Sequence, residues 1–168
     1  TDENLKNASL LINGKINTTN TSLQNNINIV ENFTLELPDG IYNWSIRAID
    51  STGRINESGN RTITIDVNIP KLEIRSPDNN TENITSNITR FGYNTSDTLL
   101  ANASLLINGR INLTNLSLNN NFNIEENFSL ELPDGIYNWS IRTTDLGGNI
   151  NASGNRTLTI NTQLPELN

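Results

Sequence analysis

The most frequent chemically specific pattern in the sequence is the triplet Asn-x-Ser/Thr, in which x is not proline. This triplet is the acceptor for N-linked glycans. It occurs 18 times, whereas a chain with 33 asparagines and this serine and threonine content would contain about six by chance. We therefore predict N-glycosylation at these asparagines, which are Asn7, Asn17, Asn20, Asn32, Asn43, Asn56, Asn60, Asn79, Asn83, Asn87, Asn94, Asn102, Asn112, Asn115, Asn127, Asn138, Asn151 and Asn155.

The position of the triplets adds to their frequency, since seven sites of the first half recur at the same place in the second half. The hydroxyl residue changes while the triplet is kept, as in Asn32-Phe-Thr and Asn127-Phe-Ser. Strand alternation would also point Asn43 away from its aromatic neighbours. The pattern predicts a surface whose glycans shield backbone and sheet edges. The alternative is a biased, asparagine-rich composition in which few sites are occupied.

The residues that are missing exclude most catalytic chemistry. Histidine, cysteine and methionine are absent, which rules out imidazole and thiolate metal sites, Ser-His-Asp triads and disulfides. A carboxylate pair for glycoside cleavage would need two acids in a cleft. Glu36 and Glu131 lie in strand-like segments and are interpreted as surface charge. We therefore predict that the protein is not an enzyme.

The charge balance and hydropathy limit the partners. Lys plus Arg total 11 against 18 Asp plus Glu, a net charge of −7, which gives no basic surface for the phosphates of nucleic acid. No apolar run approaches the ~20 residues that a bilayer requires. We therefore predict no nucleic-acid partner and no membrane-spanning segment in this chain.

Calcium is the one metal that the remaining residues could bind, because it takes six to eight oxygen ligands. The loop-like segments carry four acids, Asp50, Asp78, Asp97 and Asp145. They lack EF-hand spacing, and solvated loop acids are the favoured interpretation. Calcium at a junction between modules is the alternative, and no other cofactor is predicted.

An internal repeat determines the domain organisation. Leu5–Leu72 aligns without a gap on Leu100–Leu167, with about two thirds of the positions identical. The second copy is preceded by a leader, Lys71–Asp97, of which the first copy has only the last residues in this sequence. The predicted domains are repeat 1 at residues 1–70, without its N-terminal strand segment, and repeat 2 at residues 71–165. Residues 166–168 are predicted to begin a following repeat or a linker.

The length of the repeat is typical of a β-sandwich of about 100 residues. Apolar and polar residues alternate in short segments that turn-forming residues separate, which predicts an all-β fold of tandem immunoglobulin-like β-sandwiches, the first N-terminally incomplete. The run LPDGIYNW predicts a tyrosine corner, in which Tyr42 and Tyr137 bond to upstream backbone. These tyrosines and the nearby Trp44 and Trp139 are predicted core residues. The predicted strands of the second copy are 72–76, 102–108, 122–132, 136–142 and 156–160.

Three blocks carry a family resemblance: NASLLING, LPDGIYNWSIRAIDSTG and SGNRTITID, together with LEIRSPDNN in the leader. They resemble the tandem Ig-like modules of archaeal, and some bacterial, cell-surface and filament proteins, and the resemblance covers nearly the whole chain. It implies an extracellular stalk, adhesin or filament. In such modules cysteines often form an inter-sheet disulfide at the positions held here by Ala8, Ala48, Ala103 and Thr143, so this chain would lack that bridge.

These observations together predict a non-enzymatic, heavily N-glycosylated structural module of an extracellular surface protein or filament. Self-association is the expected partnership. The missing leader of the first copy would expose a sheet edge, which another strand could fill by β-strand addition. The alternative is an adhesin or carbohydrate-binding spacer that contacts cell-surface glycans.

Overall fold

A computed structural model describes residues 4–23, 30–83 and 85–163. The chain forms two compact units, unit 1 (Thr1–Ile65) and unit 2 (Asp66–Asn168), whereas the sequence placed the boundary between residues 70 and 71. The expectation for residues 166–168 falls outside the described residues and stays a prediction. All the described regular elements are β-strands, in agreement with the predicted all-β class.

Unit 1 shows one antiparallel sheet within residues 4–23 and 30–65. Its strands are β1 (Leu5–Ile12), β2 (Lys15–Asn20), β3 (Gly40–Asp50), β4 (Ile55–Glu57) and β5 (Arg61–Ile65). The strand order is β2-β1-β3-β4, and β5 pairs with the N-terminal part of β3. In this described part of the chain the strands form a single sheet.

Unit 2 is an immunoglobulin-like sandwich of two sheets. The strands are β6 (Lys71–Ser76), β7 (Thr81–Asn83), β8 (Ile88–Ser96), β9 (Leu100–Ile107), β10 (Arg110–Asn115), β11 (Glu126–Glu131), β12 (Gly135–Asp145), β13 (Ile150–Ala152) and β14 (Arg156–Ile160). One sheet has the order β10-β9-β12-β14-β7 with β13 paired to β12, and the other has the order β11-β8-β6. Apolar residues from both sheets form the core, because alternate side chains of each strand face inward.

The hairpins β1–β2 and β9–β10 contain the same tight turn. Asn13-Gly14 joins β1 to β2 and Asn108-Gly109 joins β9 to β10. All four residues have positive φ, between 49° and 76°, as a two-residue type I′ hairpin requires. Asparagine and glycine adopt this conformation at low cost, so the turn sequence fixes the register of each hairpin.

The tyrosine corners are confirmed in both units. The Tyr42 hydroxyl donates to the Pro38 carbonyl oxygen at 2.9 Å, and the Tyr137 hydroxyl donates to the Pro133 carbonyl oxygen at 2.8 Å. Core packing is also confirmed for Trp139, which is 1% exposed. Trp44 is only half-buried, because unit 1 shows no second sheet over it.

Three expectations need correction. The strand predicted at residues 122–132 is limited to Glu126–Glu131, because residues 122–124 turn instead of pairing. Strand alternation in the run IYNWSIR predicts that Ser140 shares the water-facing side with Asn138, but Ser140 is buried in the central strand β12. The cysteine positions implied by the family lie in register within one sheet, at Ala8↔Ala48 and Ala103↔Thr143, so a bridge there would be cross-strand rather than inter-sheet.

Candidate functional site

Unit 1 carries an open apolar groove of about 450 Å³ on the inner face of its sheet. Strands β1, β3 and β5 form its floor with Leu10, Ile12, Trp44, Ile46, Ile63 and Ile65. Residues 31–37 form a wall, from which Phe33, Leu35 and Leu37 point into the groove. These side chains share one face because they recur at every second position of their segments.

In unit 2 the counterparts of these groove residues form the closed core. Shifting the groove residues by the repeat spacing gives Leu105, Ile107, Phe128, Leu130, Leu132, Trp139, Ile141, Leu158 and Ile160. All of them belong to the core cluster or pack against it. Ile63 is 41% exposed, whereas its counterpart Leu158 is fully buried. The groove therefore corresponds to the sandwich interior of unit 2, and none of the described strands of unit 1 covers it.

The cover in unit 2 comes mainly from two aromatic residues of β8. Phe91 meets Trp139 edge to face at 4.9 Å between ring centroids. Tyr93 stacks on Phe128 at 5.3 Å. Both are fully buried, and burial raises the pKa of the Tyr93 hydroxyl to about 12. Such pairs add packing energy beyond the area that they bury.

The wall of the groove shows how pairing determines local structure. Glu126–Glu131 forms β11 because it pairs along its whole length with β8. Its counterpart Glu31–Glu36 differs only by threonine for serine, and it is not a strand. A strand needs a hydrogen-bonded neighbour, and unit 1 has no described counterpart of β8.

The predicted glycosylation sites fall into three groups by exposure. Ten are exposed: Asn17, Asn32, Asn43, Asn56, Asn60, Asn79, Asn112, Asn127, Asn138 and Asn155. Seven are half-buried: Asn7, Asn20, Asn83, Asn87, Asn102, Asn115 and Asn151. The remaining one, Asn94, is buried. Most predicted sites therefore belong to residues that are exposed or half-buried, although the amide nitrogen of half-buried Asn151 donates to the Pro70 carbonyl oxygen at 2.8 Å. Glycosylation itself stays a prediction.

At Asn94 the geometry argues against a glycan. The residue is 3% exposed. Its amide nitrogen, the atom that a glycan would modify, donates to the Phe122 carbonyl oxygen at 2.6 Å. Its amide oxygen accepts from Arg75 Nε at 2.7 Å. A glycan would remove these bonds and could not fit inside the packed sheet.

Two of the four predicted loop acids come together in unit 2. Asp66, Asp97 and Asp145 each place one carboxylate oxygen within 4.8 Å of the others. Such oxygens suit calcium, and acidic groups also occur at this spacing without an ion. Asp66 is not among the acids predicted from the sequence, although its alignment with Asn161 marks it as a difference between the copies.

The other two predicted acids lie elsewhere. Asp78 is exposed beyond the end of β6. Asp50 accepts hydrogen bonds from the Thr52 hydroxyl at 2.7 Å and from Arg54 Nε at 2.7 Å. The Thr52 hydroxyl, followed by the Arg54 groups and the Thr52 backbone, holds the pKa of Asp50 well below its ordinary value of 3.8 despite an opposing effect of burial. This carboxylate stabilises its own loop.

No family model and no curated protein matches the chain. Among solved structures, the fibronectin(III)-like modules of Clostridium thermocellum CbhA are similar, with 14% identity and a TM-score of 0.47 over 95% of this chain and 79% of that chain. Bacteroides ovatus SGBP-B of a mixed-linkage glucan utilization locus, in complex with a mixed-linkage heptasaccharide, matches with 16% identity and a TM-score of 0.30. The match spans 95% of this chain and 39% of that one.

The architecture described above defines the class of protein: an immunoglobulin-like, all-β module. In the described part of the chain, no helix is long and apolar enough to cross a membrane.

Proposed function

We propose that the chain is a non-enzymatic, N-glycosylated structural module of an extracellular surface protein or filament, of archaeal or bacterial origin. The observation that carries this proposal is the distribution of the acceptor asparagines. They exceed chance, recur between the copies, and lie at or near the surface in every described case except Asn94. A modification of that density adds hydrated bulk around an array of modules.

A structural role also agrees with the placement of the acids. Glu36 and Glu131 are both exposed, and Glu131 accepts a hydrogen bond from the Asn87 amide at 2.7 Å. Neither lines the groove of unit 1. A glycoside-cleaving pair would instead face a shared cleft.

Assembly into a filament or array is the second part of the proposal. The apolar groove of unit 1 supports it, because exposed apolar surfaces often mark sites of protein–protein interaction. A strand from elsewhere could close it by β-strand addition. Self-association by such complementation would join modules without a dedicated interface domain.

The alternative function, an adhesin or carbohydrate-binding spacer, has no specific observation in its favour. Sugar-binding surfaces generally present aromatic rings to solvent. All nine aromatic residues of the sequence lie in the described part of the chain, and each is buried or half-buried. The structural role therefore remains the proposed function.

Glycopeptide mapping of protein isolated from its natural source tests the proposal. We expect glycans at exposed acceptors such as Asn43 and Asn138, and an unmodified peptide at Asn94, which serves as an internal control. Intact mass should then exceed that of the 18.6 kDa polypeptide. Unmodified peptides at all exposed acceptors, or a cytosolic location, would refute the proposal.

A further inference from the structure

We propose that Asn112 and its counterpart Asn17 carry glycans that keep a free sheet edge from pairing with the same edge of a second copy of the chain. Asn112 lies in β10, at one end of the larger sheet of unit 2, and Asn17 lies in β2, at one end of the sheet of unit 1. The inference rests on the glycosylation part of the proposed function and gives the glycan at one repeated position a specific role.

Strands β10 and β2 each leave one side of their backbone unpaired. Among the described strands, only β9 pairs with β10 and only β1 pairs with β2. An unpaired edge offers its N–H and C=O groups to any extended strand that reaches it, and pairing between two such edges leads to aggregation. Each of these edges therefore gives a second copy a place to continue the ladder.

The two edges carry little charge and present apolar side chains to water. Ile111 is 53% exposed and Ile16 is 55% exposed. The charged residue of each strand, Arg110 or Lys15, lies at its first position, next to the hairpin turn. By contrast, three of the six residues of β6, an edge strand of the smaller sheet of unit 2, are charged. Charged side chains commonly protect natural edges, so β10 and β2 require another protection.

Both edges place an acceptor asparagine at a β-bulge. In β10 the register with β9 shifts between Ile111 and Leu113, so Asn112 is the extra residue of the bulge. The register of β2 shifts in the same way around Asn17. A bulge interrupts the ladder and bends the strand, which is one of the ways in which natural edges avoid pairing. The two copies keep the bulge and the acceptor triplet, although the middle residue of the triplet changes from Thr18 to Leu113.

A glycan on the bulge residue would occupy the space that an incoming strand needs. Asn112 and Asn17 are both exposed. Neighbouring strands of a sheet lie about 4.8 Å apart, so the hydrated bulk of a glycan beside the backbone leaves no room for an added strand. The other acceptor of β10, Asn115, is half-buried, and its amide nitrogen lies 3.5 Å from Glu126 Oε2 of the other sheet. Protection of this edge therefore depends on Asn112.

The test compares two double variants of the full chain, produced in a host that glycosylates the wild-type chain. Asn17→Gln with Asn112→Gln removes the two edge acceptors. Asn43→Gln with Asn138→Gln is the matched control, because it removes two exposed acceptors from β3 and β12, which have neighbouring strands on both sides. Sedimentation velocity over a concentration series measures self-association. We expect the edge variant to associate at least about tenfold more tightly than the control, which should behave as wild type.

Serine in place of glutamine at the edge positions removes the same acceptors with a smaller side chain and should act in the same direction. Intact mass confirms that the edge variant and the control have each lost two glycans. This comparison separates the position of a glycan from the total bulk of glycan on the chain.

A second matched pair shows whether the association uses the edge. Ile16→Lys with Ile111→Lys adds charge to β2 and β10, whereas Ile41→Lys with Ile136→Lys adds the same charge to β3 and β12. All four isoleucines are more than half exposed, so the substitutions leave the core intact. In the edge variant, the first pair should restore wild-type sedimentation, because a lysine on an edge opposes edge-to-edge pairing. The second pair should leave the association within about twofold.

Three results would overturn the inference: equal self-association of the edge variant and the control, no change of self-association in either, or an association of the edge variant that lysines in β2 and β10 do not reduce. Glycopeptide mapping separates it from the proposed function. Unmodified Asn17 and Asn112 beside glycans at Asn43 and Asn138 would overturn the inference alone, whereas unmodified peptides at all exposed acceptors would refute the proposed function as well.

Discussion

Arg47 and Arg142 occupy the same position in the two copies but have different surroundings. Arg47 Nε lies 3.0 Å from Glu57 Oε2, and the Ser45 hydroxyl donates to Glu57 at 3.1 Å. The hydrogen bond from Arg47, followed by that from Ser45, lowers the pKa of Glu57. Arg47 therefore pairs with a nearby acid in unit 1. In unit 2 the position of the acid is held by Ala152.

The first prediction concerns this missing acid. Arg142 Nε is buried without a hydrogen-bond partner in the described part of the chain, which is unfavourable for a charged donor. Ala152→Glu should supply the partner and raise the free energy of unfolding of unit 2 by about 0.5–1 kcal/mol. Denaturant unfolding measures the difference. Ala152→Gln is the uncharged control, and equal stability of the two variants would contradict the prediction.

The second prediction concerns Asp50 and acid. Because hydrogen bonds lower the pKa of Asp50 in the folded state, its contribution to stability is present above the unfolded-state value of about 3.9 and is lost as the pH falls towards the folded-state value. Asp50→Asn keeps one acceptor oxygen but places an amide donor beside Arg54. The variant should therefore be less stable than wild type at pH 7, and the gap should narrow below about pH 4. A gap independent of pH, measured by thermal unfolding from pH 2 to 7, would contradict this account.

The third prediction concerns the acid cluster of unit 2. Carboxylates as close as those of Asp66, Asp97 and Asp145 repel one another. Asp97→Asn keeps the oxygen that accepts from the Leu99 backbone and removes one charge, so it should raise the unfolding temperature in EDTA. The same measurement with added calcium separates the two interpretations. A calcium-dependent rise in wild type that the variant lacks would show a cation site. No such rise would show that the three acids bind no cation, and Asp145 among them is buried rather than solvated.

At the scale of the element, sequence predicts a strand well but not its partner. The alternating pattern located the core of β6, β9, β12 and β14, because period two is a property of the strand itself. The identical pattern at Glu31–Glu36 gives no strand, because pairing depends on a segment distant in sequence. The groove was likewise predicted only as an open edge, since its depth depends on how the remaining strands pack.

The fourth prediction tests the hairpin that joins β9 to β10. Gly109 has a φ of 76° and no atom within 4 Å of an added Cβ, so alanine there would strain only the backbone. Gly109→Ala should lower the free energy of unfolding by about 1 kcal/mol. Gly154 has similar open space without a positive φ, so Gly154→Ala is the matched control and should be nearly neutral. Equal effects in the two variants, measured by denaturant unfolding, would show that φ is not the cause.

At the scale of the whole molecule, the two units differ in how much apolar surface they bury. Unit 2 encloses Trp139 among the residues of both sheets. Unit 1 leaves Trp44 half-buried beside an open groove. Hydrophobic burial is the dominant favourable contribution to folding, so the repeat in sequence does not make the units equal in stability.

The fifth prediction is that unit 1 unfolds before unit 2. Each unit holds one tryptophan, so Trp139→Phe reports on unit 1 alone and Trp44→Phe reports on unit 2 alone. The fluorescence midpoint in denaturant should be lower for Trp44 than for Trp139, and the wild-type chain should depart from two-state behaviour. Circular dichroism of both variants controls for damage by the substitutions themselves. Coincident midpoints would contradict the prediction, because they would show that the two units unfold in a single cooperative transition.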